Sequence, residues 1–295
     1  MKREGYLMER IADPDNLRLA FWKARKGKNY NDEVKHYRFR LDANLAELRR
    51  ELLAGDVPVG DYRYFHIYDP KERMICAAAF RERVLHHAVM IVCHPVFERF
   101  QTDDSYASRI GKGQYAALEK AKTHTRHYRW FCKLDVRKFF DSIDHETLYG
   151  LLSRRFKDPA LLGLFRRIID SYRTAPGCGL PIGNLTSQHF ANYYMAYADH
   201  HVREALHAPA YVRYMDDMVL WHDDKTELLR ITAGLTSFIG ERLRLTLKPP
   251  CINNTDKGVP FLGYVLFPGR VRLNRNSKKR FRCKMNSYDI KLDTG

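Results

Sequence analysis

The first third of the chain carries apolar residues at helical spacing. This spacing runs through residues 7–54 and predicts helical structure that ends at Gly55, a residue suited to the left-handed conformation that closes many helices. Residues 81–99 are apolar on more than one side, which predicts a largely buried helix. Another helix is expected over 114–124, directly after a Gly-Lys-Gly turn.

Short apolar or alternating segments, which are typical of strands, occur in four places. They are a hairpin in 61–74 with its turn at 69–72, a buried strand in 130–134 that ends at Asp135, two short strands in 211–222 around Met215–Asp217, and a hairpin in 259–273 that breaks at Pro268–Gly269. Two of the four therefore place aspartates at the end of an apolar strand.

Three helices are expected between and after these strands. Asp144 is a suitable N-cap for a helix over 145–156. A turn rich in glycine and proline, 176–183, precedes a long helix over about 186–206. An amphipathic helix follows over 226–243.

The composition is that of a folded protein whose charge points to a polyanionic partner, the alternative being a solvated basic face that only keeps the protein soluble. Of the 295 residues, 45% are hydrophobic and 29% are charged, which argues against a disordered chain, while the formal charge is +16. No apolar run reaches the roughly 18 residues that a membrane helix needs. The N-terminus has no apolar signal region, so we expect a cytoplasmic protein whose six cysteines are free thiols.

The positive charge is concentrated in two stretches. Residues 270–284 hold eight basic residues and no acidic one, and residues 18–40 interleave basic and aromatic side chains. This pattern favours nucleic acid, whose phosphates attract the cations while bases stack on the rings. A membrane surface is the rival partner, but the basic stretch lacks a broad apolar helix face, so no membrane partner is expected.

Three aspartates are in positions that need compensation by positive charge. Asp135 ends an apolar strand, and Asp216 and Asp217 lie adjacent at the tip of an otherwise apolar hairpin. An Asp-Asp pair alone is also a common hairpin turn. Two divalent cations held by carboxylates from neighbouring strands would relieve the repulsion, and would also activate a hydroxyl and stabilise a leaving phosphate.

Four segments in order resemble the blocks of bacterial and phage reverse transcriptases. They are Phe131–Ile143 for the first catalytic block, Gly179–Gln188 for the second, Tyr214-Met215-Asp216-Asp217 for the YxDD signature, and Phe261–Tyr264 for the primer grip. The resemblance covers about residues 60–275. It implies an α+β right-hand polymerase with fingers, a ferredoxin-like palm and a reduced or truncated thumb.

The resemblance also implies domain limits. Residues 1–125 are expected to form the fingers with an N-terminal helical extension, 126–265 the palm with part of the fingers, and 266–295 the start of a short or incomplete thumb. Only 31 residues follow Tyr264, where packed thumb helices normally need more. A partner protein that replaces the thumb is the other option.

Roles for individual residues follow from the resemblance. Asp135, Asp216 and Asp217 are the implied catalytic residues, and they would bind two Mg²⁺ together with the Val136 carbonyl. The implied nucleotide-binding residues are Lys71 and Arg73 for the triphosphate, Phe140 against the ribose 2′-position, Ile182, Gly183, and Lys248 as the proton donor to pyrophosphate. The implied nucleic-acid-binding residues are Arg109, Gln188, Tyr214, Met215, Leu262, Gly263, Tyr264, Arg270, Arg272, Lys278, Lys279 and Arg280.

The residue at position 182 favours one branch of the family. Retroviral and intron enzymes mostly have Gln before this glycine, whereas Ile-Gly-Asn-Leu-Thr-Ser-Gln resembles the reverse transcriptases of diversity-generating retroelements. Those enzymes copy a template RNA with errors at adenines, and the cDNA rewrites a variable gene. The resemblance of this chain to those enzymes implies a template RNA, a primer, deoxynucleoside triphosphates and a basic helical accessory protein as partners.

Other functions remain open at this point. An antiphage reverse transcriptase that copies a noncoding RNA shares the same block, and an RNA-binding scaffold could keep the fold without synthesis. Retron enzymes fit less well because their upstream and C-terminal motifs are not found. Intron maturases also fit less well, since little chain follows the primer grip.

Overall fold

The computed structural model describes residues 3–68 and 72–293, with side chains described as far as residue 286. The described chain forms two compact units. The first unit contains the chain up to Gln101, Lys138–Ala196 and Leu243–Leu245, and the second contains Thr102–Arg137, Tyr197–Arg242 and the chain from Thr246 onwards.

The helices follow the predicted pattern in most places. In chain order they are α1 (Met8–Ile11), α2 (Pro14–Arg25), α3 (Asp32–Phe39), α4 (Leu41–Ala54), α5 (Phe80–Glu98), α6 (Gln114–His127), α7 (Phe139–Ser142), α8 (His145–Ser153), α9 (Pro159–Asp170), α10 (Leu185–His200), α11 (Lys225–Leu243) and α12 (Arg275–Asp293). A π-helical turn, His201–Ala205, and a 3₁₀ turn, Thr255–Lys257, complete the helical segments.

Nine strands are assigned in the described residues. They are β1 (Tyr62–Ile67), β2 (Arg73–Ala78), β3 (Trp130–Asp135), β4 (Ala210–Tyr214), β5 (Asp217–His222), β6 (Cys251–Asn254), β7 (Val259–Phe261), β8 (Tyr264–Phe267) and β9 (Arg270–Leu273). β1 and β2 form an antiparallel hairpin, which confirms the hairpin predicted near residues 61–74.

Residues 7–54 form four helices instead of one continuous run. Asp13 caps α2, whose first residue is Pro14, and Asn31 caps α3. Gly55 ends α4 with a φ of +77°, in the left-handed conformation that the sequence predicts. The cores of α2 and α3 meet the start of α5 through Phe21, Tyr37 and Phe80, whose rings lie 5.3–6.0 Å apart.

The four-stranded sheet of the second unit has ferredoxin-like topology. Its strand order is β4-β5-β3-β6, with every neighbouring pair antiparallel. A helical crossover joins β3 to β4, a tight hairpin joins β4 to β5, and α11 joins β5 to β6. This is the β-α-β-β-α-β arrangement of a split βαβ unit.

Both faces of this sheet are covered by helices of the same unit. Phe131 and Trp221 point to the side of α6, where they pack with its buried Ala117 and Ala121. On the opposite face, the Cys132 thiol forms a side-chain hydrogen bond with Thr232 of α11. Two covered faces explain why β3 and β5 read as nearly continuous apolar runs.

The segment 259–273 forms three strands, where the sequence predicted a hairpin. β8 is the central strand and pairs with β7 on one side and β9 on the other. β7 contains Pro260, which cannot donate to a ladder and is therefore tolerated in an edge strand. The proline explains why this strand was not predicted as a separate element.

Two further differences concern helices. The helix predicted over 186–206 ends as an α-helix at His200 and continues as the π-helical turn. Helix α9 was not predicted, although Asp158 caps it, Pro159 begins it, and its buried residues recur at helical spacing. Among the described residues, no helix is long and apolar enough to span a bilayer.

Removal of the α8 cap gives a direct test of the local folding argument. The Asp144 carboxylate accepts hydrogen bonds from the Thr147 backbone N–H at 2.7 Å and from its hydroxyl at 2.6 Å. Asp144→Ala is expected to lower the free energy of unfolding by about 1 kcal/mol, measured by urea denaturation. Asp144→Asn keeps an acceptor oxygen and should lose less than half of that amount. Equal losses in both variants would contradict the capping role.

Candidate active site

Asp135 and Asp217 lie opposite each other at the ends of β3 and β5. Their Cα atoms are register partners, so both side chains project from the same face of the sheet. The Asp135 carbonyl accepts a hydrogen bond from Lys248 N–H at 2.9 Å, on the other side of β3. The Asp135–Asp217 pair is therefore a non-hydrogen-bonded pair, in which facing side chains approach most closely.

Asp216 lies in the two-residue turn that joins β4 to β5. Tyr214 and Asp217 are the flanking register partners, so the turn itself is Met215–Asp216. Met215 has a φ of +54°, as the first position of primed hairpin turns requires. A side chain in this conformation costs free energy, and such strained residues occur often in functional sites. The turn thus places all three predicted catalytic aspartates in the second unit.

Two lysines compensate the facing carboxylates. Lys248 Nζ lies 2.7 Å from Asp135 Oδ2, and Lys133 Nζ lies 3.2 Å from both oxygens of Asp217. Lys133 precedes Asp135 by two residues on β3 and therefore shares its face. Among the described residues, Asp135 Oδ1 and Asp217 Oδ1 are buried and accept no hydrogen bond. The site therefore has unused oxygen ligand capacity.

The pKa of Asp217 reports the electrostatic state of this cluster. Burial, together with the nearby Asp216 and Asp135, raises the pKa of its carboxyl to about 6, although Lys133 acts in the opposite direction. An anion here is thus costly unless a cation accompanies it. Lys133 was not predicted as a site residue, although its spacing of two residues from Asp135 within a strand was a usable signal.

The donor set suits a hard divalent cation. Carboxylate oxygens and backbone carbonyls are the ligands that Mg²⁺ takes in proteins. Val136 pairs with Leu247 in an antiparallel bridge where Asp135 and Arg137 make the flanking hydrogen bonds. The Val136 carbonyl therefore points away from Leu247, toward the side of β3 on which β5 lies. Within the described chain, no three His, Cys, Asp or Glu side chains form a ready metal site.

The predicted nucleotide-binding residues lie mostly in the first unit, where backbone hydrogen bonds connect their segments. Cys76 N–H of β2 donates to the Ile182 carbonyl at 2.8 Å, and Leu180 N–H donates to the Phe140 carbonyl at 2.8 Å. The Ala78 N–H also donates to the buried Asn184 side chain at 3.3 Å. The β1–β2 hairpin, the Gly179–Gln188 block and Phe140 are thereby fixed to one another.

Gly183 makes the close approach between the block and the hairpin possible. Its φ is +116°, and a Cβ atom at this position would lie 2.9 Å from Ile75 Cγ2 and 3.4 Å from the Cys76 carbonyl oxygen. Ile182, just before it, is half-buried. Any side chain at residue 183 would therefore push the block away from β2.

The hairpin also carries the residues predicted to hold a triphosphate. Arg73 begins β2, pairs with Ile67 at the loop end of the hairpin and is exposed, three residues before Cys76. Lys71 lies outside the described residues. Phe140 is half-buried and packs edge-on against Phe139, with ring centroids 5.4 Å apart.

The predicted primer grip is a tight turn between β7 and β8. Leu262 and Gly263 occupy it with φ values of +46° and +85°, as a type I′ hairpin turn requires. Gln114 at the start of α6 donates to the Leu262 carbonyl at 3.2 Å, and Asn274 N–H donates to the Gly263 carbonyl at 3.0 Å. Neither contact was predicted from the sequence. The turn is therefore held from both sides.

The predicted basic contacts differ in their surroundings. Those on β9 and α12 are exposed, namely Arg270, Arg272, Lys278, Lys279 and Arg280. Arg109 is instead engaged with backbone, since its guanidinium donates to the carbonyls of Thr102 and Ser105. Gln188 is half-buried in the first turn of α10.

Sequence comparison finds relatives among intron-encoded and bacterial proteins. The group II intron-encoded protein LtrA of Lactococcus lactis subsp. cremoris is 24% identical over 215 residues, which cover 66% of this chain and 35% of that protein. Protein YkfC of Escherichia coli K12 is 24% identical over 290 residues, covering 79% of this chain and 74% of that protein. The chain thus spans about a third of the intron-encoded relative.

Structural comparison agrees with this result at the level of fold. Apo telomerase from Candida tropicalis superposes with a TM-score of 0.54 and 10% identity, over 80% of this chain and 54% of that chain. The chain matches the reverse transcriptase (RNA-dependent DNA polymerase) family over residues 69–266, about two thirds of its length. It has the α+β right-hand polymerase fold and belongs to the reverse transcriptase family.

Proposed function

We propose that this protein is an RNA-directed DNA polymerase that extends a 3′-hydroxyl on an RNA template with deoxynucleoside triphosphates. The observation that carries this proposal is the register of β3 and β5, which brings Asp135 and Asp217 together at closest approach beside Asp216. Such a cluster of carboxylates on one sheet face has no structural benefit, because like charges in a partly buried site repel.

The residues present fit two Mg²⁺ ions, which the family membership implies. Asp135, Asp216, Asp217 and the Val136 carbonyl would hold them. When bound, the ions lower the pKa of the attacking hydroxyl and stabilise charge on the phosphate. The support in this chain is the pair of buried oxygens, Asp135 Oδ1 and Asp217 Oδ1, that accept no hydrogen bond within the described residues.

The chain's own cations and rings would supply the remaining functions. Lys248 Nζ is positioned at the Asp135 carboxylate and holds a proton that a leaving pyrophosphate could accept. Arg73, with Lys71, would bind the triphosphate through charge-assisted hydrogen bonds. Phe140 would exclude a ribose 2′-hydroxyl by steric contact. Ile182 and Gly183 would pack against the nascent base pair.

The nucleic acid would be gripped by two kinds of contact. The turn Leu262–Gly263 with Tyr264, and Tyr214 with Met215, would position the primer end. The cations of 270–280, with Arg109 and Gln188, would contact the template and primer. An exposed helix with this charge suits a phosphate backbone.

We further propose that the copying is error-prone at adenines, as in a diversity-generating retroelement, with a basic helical accessory protein as partner. Ile182 supports this proposal because its apolar side chain would offer a nascent base pair no hydrogen bond. A Gln amide at this position could donate one and restrain mispairs. An intron-associated enzyme is the second candidate, since a group II intron-encoded protein is among the relatives.

The first test is primer extension on an RNA template with Mg²⁺. Asp135→Asn and Asp216→Asn should each lower the rate of incorporation by at least about a hundredfold, because each removes one carboxylate charge from the metal site. Asp256→Asn, an exposed aspartate in the 3₁₀ turn, is the control and should retain the wild-type rate. Full activity in the Asp135 or Asp216 variant would refute the two-metal proposal.

The second test addresses fidelity. Ile182→Gln should lower the misincorporation frequency opposite template adenines, measured by sequencing the cDNA product. Leu229→Gln, on the exposed face of α11, is the control and should leave the error spectrum unchanged. An unchanged adenine error rate in Ile182→Gln would exclude the mutagenic role of Ile182 and leave the intron-type enzyme as the better candidate.

The third test concerns the close approach at Gly183. Gly183→Ala should raise the KM for the nucleotide, since the added Cβ separates the Ile182–Gly183 block from the β1–β2 hairpin. Gly177→Ala is the matched control, because Gly177 also has a positive φ, +70°, but has no atom within 4 Å of the added Cβ. If both variants raise KM equally, backbone strain and not the clash with Ile75 is responsible.

A further inference from the structure

A buried ion pair lies directly behind the turn that carries Asp216. Arg213 of β4 and Asp199 near the end of α10 are both fully buried. Arg213 Nε donates to Asp199 Oδ1 at 2.7 Å and Nη2 donates to Oδ2 at 2.6 Å, so the contact is bidentate. The Tyr211 hydroxyl also donates to Asp199 Oδ1, at 2.9 Å.

Stability alone does not account for this pair. Desolvation of two charges costs several kcal/mol per ion, and apolar residues of similar volume often stabilise a protein as well or better. Apolar residues such as Met and Leu could fill the same space. A function that needs a charged, forked donor at this position is therefore the better explanation.

An apolar residue at position 213 could not make the hydrogen bond to the turn that carries Asp216. Arg213 Nη1 donates to the Met215 carbonyl at 3.0 Å. This carbonyl belongs to the peptide group that joins Met215 to Asp216, so the hydrogen bond fixes the orientation of that peptide. Met215 has the strained φ of +54°, and such a residue persists only where its neighbours determine its conformation.

Further hydrogen bonds hold Arg213 itself in place. Arg213 Nη2 also donates to the Ser105 hydroxyl at 3.0 Å. The Arg213 backbone N–H donates to the Asp104 carbonyl at 2.8 Å, and its carbonyl accepts from Tyr106 N–H at 3.0 Å. Side chains thus hold the guanidinium, backbone hydrogen bonds hold the strand residue that carries it, and Nη1 is directed at the turn.

We propose that Arg213, oriented by Asp199, is a positioning residue that holds the Met215–Asp216 turn in the conformation in which Asp216 can bind a metal ion. This inference rests on the proposed two-metal function, and it adds two residues that do not touch substrate. The buried pair contributes geometry to the site, and the guanidinium charge also attracts the Asp216 carboxylate.

The test replaces the pair by apolar residues that fill its space, Arg213→Met with Asp199→Leu. This double variant should fold, because no buried charge is left unpaired. Its kcat for single-nucleotide incorporation should fall roughly tenfold to a hundredfold, while KM for the nucleotide stays within about twofold. The dissociation constant for Mn²⁺, measured by electron paramagnetic resonance without nucleic acid, should rise about tenfold.

A matched control is available in the same unit. Arg203 makes a bidentate contact with Asp104, and its guanidinium also donates to the Ala208 carbonyl. Arg203→Lys, which keeps a cation beside Asp104 and leaves the backbone contact between Asp104 and Arg213 in place, should change thermal stability but neither kcat nor Mn²⁺ affinity. A loss of stability alone therefore cannot imitate the expected result.

The outcomes separate this inference from the proposed function. If the Arg213–Asp199 double variant is folded and keeps wild-type kcat and Mn²⁺ affinity, the pair is structural only and the inference is wrong. If the wild type makes no cDNA yet the double variant binds Mn²⁺ more weakly, the proposed function fails and the positioning role stands. Should the double variant not fold, Arg213→Lys carries the test, because it keeps the charge but loses the fork. The lysine variant should show the same reduced kcat and weakened Mn²⁺ binding, and wild-type values in it would overturn the inference.

Discussion

The pairing of Asp135 with Asp217 across β3 and β5 is the constraint on which the rest of the site depends. Because side chains alternate along a strand, a register shift of one residue would move one carboxylate to the face covered by α11. The apolar residues of both strands prevent such a shift, since Phe131 and Trp221 must remain on the α6 side. The core thus determines the register, and the register brings the charges together.

This arrangement creates an electrostatic cost that neighbouring residues offset at short range. Lys133 and Lys248 place ammonium groups on the two carboxylates, while the Arg213–Asp199 pair is neutral as a whole and lies on the opposite face of β4. The two lysines and the buried ion pair act on different parts of the site. The lysines reduce repulsion between the aspartates, whereas the buried pair controls the backbone of the turn through one hydrogen bond to Met215.

Local signals in the sequence were sufficient for much of this structure. The apolar run that ends at Asp135 and the apolar hairpin around Asp216 predicted β3, β4 and β5, because strand length and burial are encoded locally. Caps such as Asp144 and Gly55 predicted helix ends for the same reason. The resemblance to reverse transcriptase blocks then indicated the family that the comparison over residues 69–266 confirms.

Features that depend on tertiary contacts could not be predicted. β6 has a polar sequence, Cys251–Asn254, and is a strand because β3 offers it an edge to pair with. β7 contains Pro260, a residue that argues against a strand, and the π-helical turn after His200 has no local signature. The partner of Arg213 lies 14 residues earlier on a helix, so the sequence shows an arginine in an apolar strand but not what it holds.

The two lysines differ in what their displacement from the carboxylates would cost, and this difference is a property of the fold. Lys248 is 45% exposed, so its ammonium can return to water with little loss of free energy. Lys133 is 23% exposed and projects from the middle of the sheet, where its charge has few alternative partners. A cation that enters the site is therefore expected to displace the lysine at Asp135 more easily than the lysine at Asp217. The candidate site is therefore asymmetric before any ligand binds, because one lysine lies on β3 and the other lies in the segment that precedes β6.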